Sequence, residues 1–369
     1  MKIDRRLFTD LNWSLLFVTL LCTIIGVVNI FSTGVIAPGV EQTPFYLKQL
    51  RWAGIAFILL IILISIDYRT IGRYSYLIYV LAIILLAMVD FVGHESRGSQ
   101  RWLNFFGVSI QPSEFMKIAM VFVLAKYVSD NKQKGGYGFK ELIKPLLLLM
   151  IPFWLVLKQP DLGTAIMILL IFLSMLIVVG LKKKETIIFS LLSVCAMPFL
   201  WFLLKDYQKI RIMTFLDPSR DPFGSGYHIT QSIIAAGSGQ ILGKGFMEGS
   251  QTKLQFLPEQ HTDFVFSVFA EEWGFLGAIL LLLLLLHIIL SGIKITYASR
   301  DYLGSLLAMG ATAIIFWESV INIGMVLGLL PVVGIPLPFM SYGGSSLLVV
   351  FICVGVLLSV SMRRFSLQE

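Results

Sequence analysis

The sequence predicts an all-α integral membrane protein with about ten transmembrane helices and a long, partly helical extracytoplasmic loop between helices 7 and 8. Two features of the composition predict this class. Of the 369 residues, 57% are hydrophobic and only 14% are charged, whereas a soluble domain carries about 25% charged residues. The mean hydropathy is +0.85, and charged residues cluster between long apolar runs such as 142–157.

Windows of roughly 20 apolar residues, the length needed to cross a bilayer, locate the predicted spans. The first window resembles a signal peptide, but it is long enough to span and lacks a small-residue cleavage site, so we interpret it as a retained helix. We expect residues 1–369 to form a single polytopic membrane domain. The ten spans lie near residues 12–33, 50–66, 73–92, 113–130, 142–158, 161–180, 186–204, 264–290, 304–328 and 345–362.

The distribution of Lys and Arg predicts the orientation, because short cytoplasmic loops carry an excess of basic residues. An even number of spans puts both termini on one side. Most flanking Lys and Arg fall on that side, including Lys182–Lys184 and Arg363–Arg364, while the opposite short loops hold few. We therefore expect cytoplasmic termini and an external loop at about 205–263. The net charge of +7 reflects this orientation, and no basic stripe with interleaved aromatics predicts nucleic-acid binding.

The cysteines and histidines predict neither a disulfide nor a metal cage. Cys22, Cys195 and Cys353 all lie inside apolar runs, and the four histidines are scattered. No spacing typical of a disulfide framework or a zinc site is present.

Two motifs interrupt the apolar pattern between the third and fourth spans. Arg101 precedes a tryptophan, and Gln111-Pro-Ser-Glu-Phe-Met-Lys117 opens the fourth span. Pro112 suits the first turn of a helix, so Glu114 and Lys117 share a helix face. They predict either a structural ion pair or one wall of an anion-binding or proton-handling cavity. Arg101 fits such a cavity and an interfacial anchor equally well.

A tight turn at residues 158–164, Lys-Gln-Pro-Asp-Leu-Gly-Thr, separates the fifth and sixth spans. Asp161 stands at the predicted start of the sixth helix, where Asp is a favoured N-cap. Capping explains this residue as well as a functional role does.

The long loop ends in residues 258–264, Pro-Glu-Gln-His-Thr-Asp-Phe, directly before the eighth span. Asp263 lies at the predicted membrane boundary, with His261 nearby. N-capping is one interpretation of Asp263, and a general base near low-dielectric surroundings is the other. Glu271 and Glu272 follow two turns later, and at least one of them should face the bundle interior because charge inside a span is costly.

Residues 331–346 are rich in proline and glycine. Irregular backbone at membrane depth persists only where it is buried in protein or lines a wet cavity. The motif Ser341-Tyr-Gly-Gly-Ser-Ser346 offers either backbone N–H groups for an anion at a helix start or a re-entrant connector without a ligand. Together the motifs predict an outward polar cavity, suited to an anionic lipid-linked substrate or a transported ion, that holds Arg101, Glu114, Lys117, Asp161 and Asp263.

These motifs resemble those of the SEDS family (shape, elongation, division and sporulation). The resemblance covers nearly the whole chain, in order and with the same ten-helix layout. The segment 270–275, Ala-Glu-Glu-Trp-Gly-Phe, is more similar to the RodA-type, elongation members than to the FtsW-type, division members. The matching motifs surround Arg101 and occupy residues 111–117, 159–164, 257–264 and 338–346.

The resemblance implies a peptidoglycan glycosyltransferase that polymerises lipid II on the outer face of the bacterial cytoplasmic membrane during cell elongation. It implies a class B penicillin-binding protein as partner, beside other membrane proteins of the elongation complex. Asp263 matches the essential aspartate of the family, and we expect it to act as general base in an inverting displacement that releases undecaprenyl pyrophosphate.

Further roles follow from the same resemblance. Arg101 and Lys117, or a divalent cation such as Mg²⁺ or Mn²⁺, are expected to balance the departing phosphates, and Glu114 to hold Lys117 in place. No metal ligand is assigned. The remaining substrate-binding or supporting residues are Asp161, His261 and Ser341.

Two other functions stay open. A lipid II flippase or other transporter would use the same charged cavity, although transport predicts polar residues on both sides of the midplane and the inner half has few. A non-catalytic scaffold for a transpeptidase explains the helices but not the clustered acids and bases.

Overall fold

The computed structural model describes residues 11–34, 45–96, 99–105, 108–133, 135–182, 184–185, 187–188, 202, 206–221, 224–254, 256–257 and 259–364. Helices dominate these residues. In chain order they are α1 (Trp13–Thr33), α2 (Phe45–Ser65), α3 (Tyr68–Val92), α4 (Pro112–Asp130), α5 (Phe139–Lys158), α6 (Leu162–Val179), α7 (Asp206–Leu216), α8 (Ser225–Ser238), α9 (Val265–Ala298), α10 (Tyr302–Val326) and α11 (Gly344–Met362). A 3₁₀ turn at Pro218–Arg220 and a single α-turn at Ser250–Lys253 lie in the long loop.

Within the described residues, seven helices are long and apolar enough to cross a membrane, namely α1, α2, α3, α6, α9, α10 and α11. The predicted helical, multi-pass membrane class is therefore confirmed. Helices α4 and α5 are of similar length, 19 and 20 residues, but each carries four charged residues. The span predicted near 186–204 lies almost entirely outside the described residues.

Helices α4, α10 and α11 form the centre of the bundle, and most of their side chains are buried. Helix α11 packs along α2, α4 packs along α3, and α10 packs against α4, α6 and α9. The outer helices α2 and α3 expose apolar side chains such as Ile58 and Val80. Apolar side chains on the outer surface, where a soluble protein has polar ones, are expected if lipid tails replace water around the helices.

Side chains cap the starts of four helices and so satisfy backbone N–H groups that have no partner within the helix. Asn12 accepts from the first turn of α1, Asp67 from α3, and Asp301 from α10. Asp161 accepts from the Thr164 N–H of α6, so the N-cap predicted for Asp161 is present.

A small antiparallel sheet between α3 and α4 was not predicted by the sequence analysis. Its strands are β1 (His94–Ser96), β2 (Ser99–Phe105) and β3 (Val108–Ile110), in the order β1-β2-β3. The register pairs Leu103 with Ile110 across the second hairpin. The sheet marks one end of the bundle, called here the sheet end.

Helix α9 is interrupted, whereas the sequence predicted a continuous eighth span. Gly274 adopts φ 65° and ψ −165°, a conformation open to glycine. The long loop satisfies the backbone groups freed by this break, because the amides of 244–245 donate to carbonyls 271–272 and the amides of 275–276 donate to carbonyls 240–241. The four N–O distances are 2.8 to 3.1 Å. The loop is thereby fixed to the helix.

Candidate active site

The connection between α10 and α11, residues 327–343, packs on the end of the long loop at the sheet end. The Ser341 hydroxyl donates to the Thr262 carbonyl oxygen at 2.7 Å. The Tyr342 N–H donates to the His261 carbonyl oxygen at 2.8 Å. These two bonds fix the residues that precede α9.

The predicted anion site at the start of α11 is tied to neighbouring helices. The Gly343 N–H donates to Gln49 Oε1 at 3.3 Å, and Gln49 Nε2 donates to the Ser341 carbonyl oxygen at 3.2 Å. The Ser345 hydroxyl accepts from the Gln111 N–H at 3.1 Å. In this conformation the segment connects α2, α4 and α11.

Asp263 lies half-buried immediately before α9. The N-cap residue of α9 is Phe264 and forms no side-chain cap hydrogen bond, so N-capping does not explain Asp263. Asn322 Nδ2 of α10 donates to the carbonyl oxygens of Asp263 at 3.1 Å and Ile335 at 2.8 Å. Gly334, with φ 74°, faces the carboxylate, and a Cβ at this position would lie 3.4 Å from Asp263 Oδ2. The connection therefore leaves space beside the carboxylate.

His261 belongs to an aromatic cluster at the same place. Its ring stacks on Phe45, with centroids 4.3 Å apart and planes inclined by 14°, and meets Tyr342 edge-on at 5.8 Å. Burial raises the pKa of the Tyr342 phenol. The cluster holds the imidazole against α2 and the α10–α11 connection.

Arg101, on β2, clamps the turn between α5 and α6. Its guanidinium donates to the Gln159 carbonyl oxygen at 3.2 Å and to the Pro160 carbonyl oxygen, and Nη1 lies 3.7 Å from Asp161 Oδ1. Asp161 also accepts from the Thr164 hydroxyl at 2.9 Å. The planar, multi-donor guanidinium suits such a set of acceptors, so Arg101 holds the turn instead of serving as an interfacial anchor.

Lys117 lies at the centre of a buried charged cluster. Its Nζ is 2.9 Å from Glu114 Oε1 and 2.5 Å from Glu318 Oε1. Lys117 is 1% exposed and Glu318 is fully buried. Two carboxylates around one ammonium leave the group short of positive charge, an arrangement that the protein interior disfavours unless a proton is shared.

The sequence analysis predicted the pairing of Glu114 with Lys117 but missed Glu318. The signal was available, because Glu318 is a lone carboxylate within the apolar span predicted at 304–328. Ionisable residues inside a span mark functional positions by default.

Helices α4 and α10 connect the charged groups. The Ser113 hydroxyl of α4 donates to Asp161 Oδ2 at 3.3 Å. On α10, Asn322 follows Glu318 by one helical turn and holds the backbone of Asp263. Each helix therefore contacts two parts of the site.

The arrangement differs from the single open cavity predicted from the sequence. Lys117 and Asp161 are buried, at 1% and 5% exposure, because the surrounding helices and the α10–α11 connection close over them. Glu318 borders a narrow crevice whose other wall is formed by residues 336–339 and Ser341. The predicted residues thus form two buried clusters, with Asp263 at the edge of the connection.

Glu271 and Glu272 are both buried and lie at the break in α9. Glu271 Oε1 accepts from Lys244 Nζ at 2.6 Å and from the Gln251 N–H at 3.1 Å. The Ser32 hydroxyl donates to Glu272. These contacts anchor the long loop and α1 to α9.

The described residues provide no ready metal site. Within them, no group of three or more His, Cys, Asp or Glu side chains is placed to hold an ion. No step proposed below depends on a bound divalent cation.

The fold and these clusters define a polytopic helical membrane protein that buries ion pairs among its helices and carries a half-buried aspartate beside the α10–α11 connection. The chain belongs to the FtsW/RodA/SpoVE family, whose model, described as "Cell cycle protein", matches residues 12–365. The family predicted from the motifs is thereby confirmed.

Similar proteins and solved structures support this membership. Peptidoglycan glycosyltransferase MrdB of Escherichia coli (strain K12) is 41% identical over 323 residues, which are 87% of each chain. Stage V sporulation protein E of Bacillus subtilis (strain 168) is 38% identical over 353 residues, 94% of this chain and 96% of that protein.

Two solved structures share the fold. A chain from a study of how a peptidoglycan synthase complex coordinates polymerization and crosslinking superposes with a TM-score of 0.81 at 30% identity, covering 96% of this chain and 98% of that chain. The rod shape determining protein RodA of Thermus thermophilus superposes with a TM-score of 0.71 at 26% identity, with the same coverage.

Proposed function

We propose that this chain is a peptidoglycan glycosyltransferase that polymerises lipid II into glycan strands during cell elongation. The names of its relatives support the activity. The observation that carries the assignment to this site is the half-buried Asp263 beside the α10–α11 connection. Glu114 and Asp161, by contrast, are buried, at 4% and 5% exposure.

The reaction joins the 4-hydroxyl of an acceptor sugar to the anomeric carbon of a donor. The donor linkage to undecaprenyl pyrophosphate is α and the product linkage is β, so one inverting displacement is sufficient. The bond from the anomeric carbon to the pyrophosphate oxygen breaks as the new glycosidic bond forms, and the hydroxyl proton passes to a general base. We assign that base to Asp263.

The two buried clusters serve to position the base in the described conformation. Lys117 has almost no access to a substrate phosphate, and the Arg101 guanidinium already contacts two carbonyl oxygens and Asp161. Asn322 connects the Lys117 cluster to Asp263. It follows Glu318 by one turn of α10, and its side chain donates to the Asp263 carbonyl oxygen. The proposed positioning residues are Arg101, Glu114, Lys117, Asp161, His261, Glu318 and Ser341.

A different cation is suitably placed for the departing pyrophosphate. Arg211 of α7 reaches the α10–α11 connection, where Nη1 lies 3.3 Å from the Val332 carbonyl oxygen. Val332 precedes Gly334, which borders Asp263, by two residues. Because a guanidinium recognises phosphate oxygens bidentately, we assign the balancing of phosphate charge to Arg211, a residue that the sequence analysis did not single out.

The proposal includes the orientation and the partners. We propose ten membrane crossings, with both termini in the cytoplasm and the sheet end outside, and the excess of Lys and Arg near the termini supports this orientation. We propose a class B penicillin-binding protein as partner, supported by the similarity to a chain of a peptidoglycan synthase complex. Other elongation-complex membrane proteins would join the same assembly.

Lipid II polymerisation by purified Asp263→Asn tests the assignment. We expect at least a roughly 100-fold loss of rate with an unchanged melting temperature, since Asp263 does not cap α9. The control Glu259→Gln, in the same turn, keeps an acceptor for the Thr262 hydroxyl and should stay active. A rate within about threefold of wild type for Asp263→Asn would reject the role.

The wild-type protein reconstituted into proteoliposomes allows polymerisation to be distinguished from transport. Charged side chains buried among helices also occur along ion and proton pathways. Because the Lys117 cluster is of this kind, a transporter is the second candidate function. A transporter would move fluorescent lipid II across the bilayer without forming glycan. Polymer formation without such movement supports the glycosyltransferase.

A further inference from the structure

A second cavity opens at the end of the bundle opposite the sheet. It has a volume of about 380 Å³ and lies between the ends of α6 and α9 and the start of α10. None of the residues assigned to the glycosyltransferase site lines it. Its walls include Lys132, Ile177, Tyr297, Ser299, Arg300 and Ser305.

Part of the lining of this cavity is basic and rich in hydroxyl groups. Lys132 Nζ sits over the Tyr302 ring, 4.6 Å from its centroid, in a cation–π contact that holds the ammonium at the cavity. Arg300 and two serines, Ser299 and Ser305, also line the cavity.

Asp301, the acidic residue lining the cavity, is already neutralised by its neighbours. Its carboxylate accepts from the Tyr68 hydroxyl at 2.8 Å, from Arg69 Nε at 3.1 Å and from the Gly304 N–H at 2.8 Å. The other two charged residues that line the cavity, Lys132 and Arg300, are both basic.

The cavity lining also has an apolar part, which faces outward from the bundle. Ile177 of α6 is 71% exposed and Tyr297 of α9 is 81% exposed. Both lie in the last turn of a helix that is apolar enough to cross the membrane. This apolar part therefore lies where acyl chains meet headgroups.

We propose that this cavity binds an anionic phospholipid, with the phosphate against Lys132 and Arg300 and an acyl chain along Ile177 and Tyr297. Basic pockets between transmembrane helices bind anionic headgroups in this way. A soluble phosphate would contact the basic residues alone and gain nothing from the apolar part of the lining. The proposal does not rest on the glycosyltransferase activity or on the orientation.

Native mass spectrometry of the full chain, released from micelles containing equal amounts of phosphatidylglycerol and phosphatidylcholine, tests the site. We expect about tenfold preferential retention of phosphatidylglycerol by wild type, given two cations near the headgroup. Lys132→Ala with Arg300→Ala should abolish the preference. Lys140→Ala with Lys144→Ala, two exposed basic residues of α5 outside the cavity, should preserve it.

A soluble competitor separates the two sources of phosphate. Glycerol 3-phosphate at the same concentration should leave lipid retention unchanged, and its displacement of the lipid would overturn the phospholipid assignment. Equal retention of both lipids by wild type, or an equal loss in the control pair, would also overturn it. Unchanged melting temperatures in lipid-free detergent show that the variants are folded.

Discussion

Lys117 Nζ lies 2.5 Å from Glu318 Oε1, and this ion pair joins α4 to α10 across 201 residues of sequence. The same ammonium holds Glu114, so the start of α4 is fixed relative to the helix that carries Asn322. Because Asn322 binds the backbone of Asp263, a contact deep in the bundle sets the position of the proposed base.

Removal of the central cation should destabilise the bundle strongly. Lys117→Met leaves two buried carboxylates without their partner, and breaking such a group costs about 3–5 kcal/mol. We expect a clear fall in melting temperature in detergent. Neutralising the whole group, with Glu114→Gln and Glu318→Gln added to Lys117→Met, should restore much of the loss.

A matched control lies on the same helix. Lys126 pairs with Asp130 at 2.8 Å on a half-exposed surface, where such pairs contribute less than about 1 kcal/mol. Lys126→Met should therefore change the melting temperature little. An equal effect from both lysines would contradict the proposed role of burial.

The sequence could predict helix positions that depend on composition alone. Predicted spans at 113–130, 304–328 and 345–362 correspond to α4, α10 and α11 within two residues at each end. Apolar length carries this information locally, because each span must satisfy its own backbone hydrogen bonds.

The remaining features depend on contacts between distant segments. The break at Gly274 lies inside an apolar run and is stabilised by residues 240–245, which hydropathy cannot relate to it. Likewise, the structural role of Glu318 depends on its ion pair with Lys117 on another helix. For Arg101, the sequence left a polar cavity and an interfacial anchor open, and only the folded turn at Gln159 shows what its guanidinium contacts.

Arg101 should act as a positioning residue that lysine cannot replace. Its guanidinium contacts Gln159, Pro160 and Asp161 together, whereas a single ammonium cannot reproduce that fork. Because small displacements of an active-site turn reduce rates by up to about 100-fold, we expect Arg101→Lys and Arg101→Ala to lower kcat by roughly tenfold or more with little change in KM.

The control for Arg101 is Lys158, which is 71% exposed and forms a surface pair with Asp90 at 2.8 Å. Lys158→Ala should leave polymerisation near the wild-type rate. Full activity of Arg101→Lys would show that charge alone is needed and would count against the clamp.

Gly274→Ala should disrupt the anchoring of the long loop. A Cβ at Gly274 would lie 2.2 Å from the Gly243 nitrogen, and the φ of 65° is unfavourable for alanine. We expect a loss of at least about 3 kcal/mol in the free energy of unfolding, seen as a lower melting temperature. Gly237→Ala in α8, where a Cβ meets nothing within 4 Å, should be neutral or stabilising by up to about 1 kcal/mol. Similar losses in both variants would argue against a rigid break.

Arg211 and Arg220 provide a matched pair for the departing pyrophosphate. Arg211 reaches the connection beside Asp263 through Val332, while Arg220 is exposed and pairs with Asp217 at 3.2 Å within the same loop. Since removal of one group that stabilises developing negative charge lowers kcat by about 100-fold or more, Arg211→Ala should lower kcat at saturating lipid II by that order, and Arg211→Lys should recover part of it.

Arg220→Ala should change neither kcat nor KM appreciably, because its ion pair lies in solvent and contributes little. Measuring both constants separates the two roles available to Arg211. A defect confined to KM would show that Arg211 only recruits the lipid-linked substrate, since an interaction made in the transition state alone lowers kcat. A combined fall in kcat and melting temperature, unrelieved by lysine, would instead indicate that Arg211 only supports the fold of the connection.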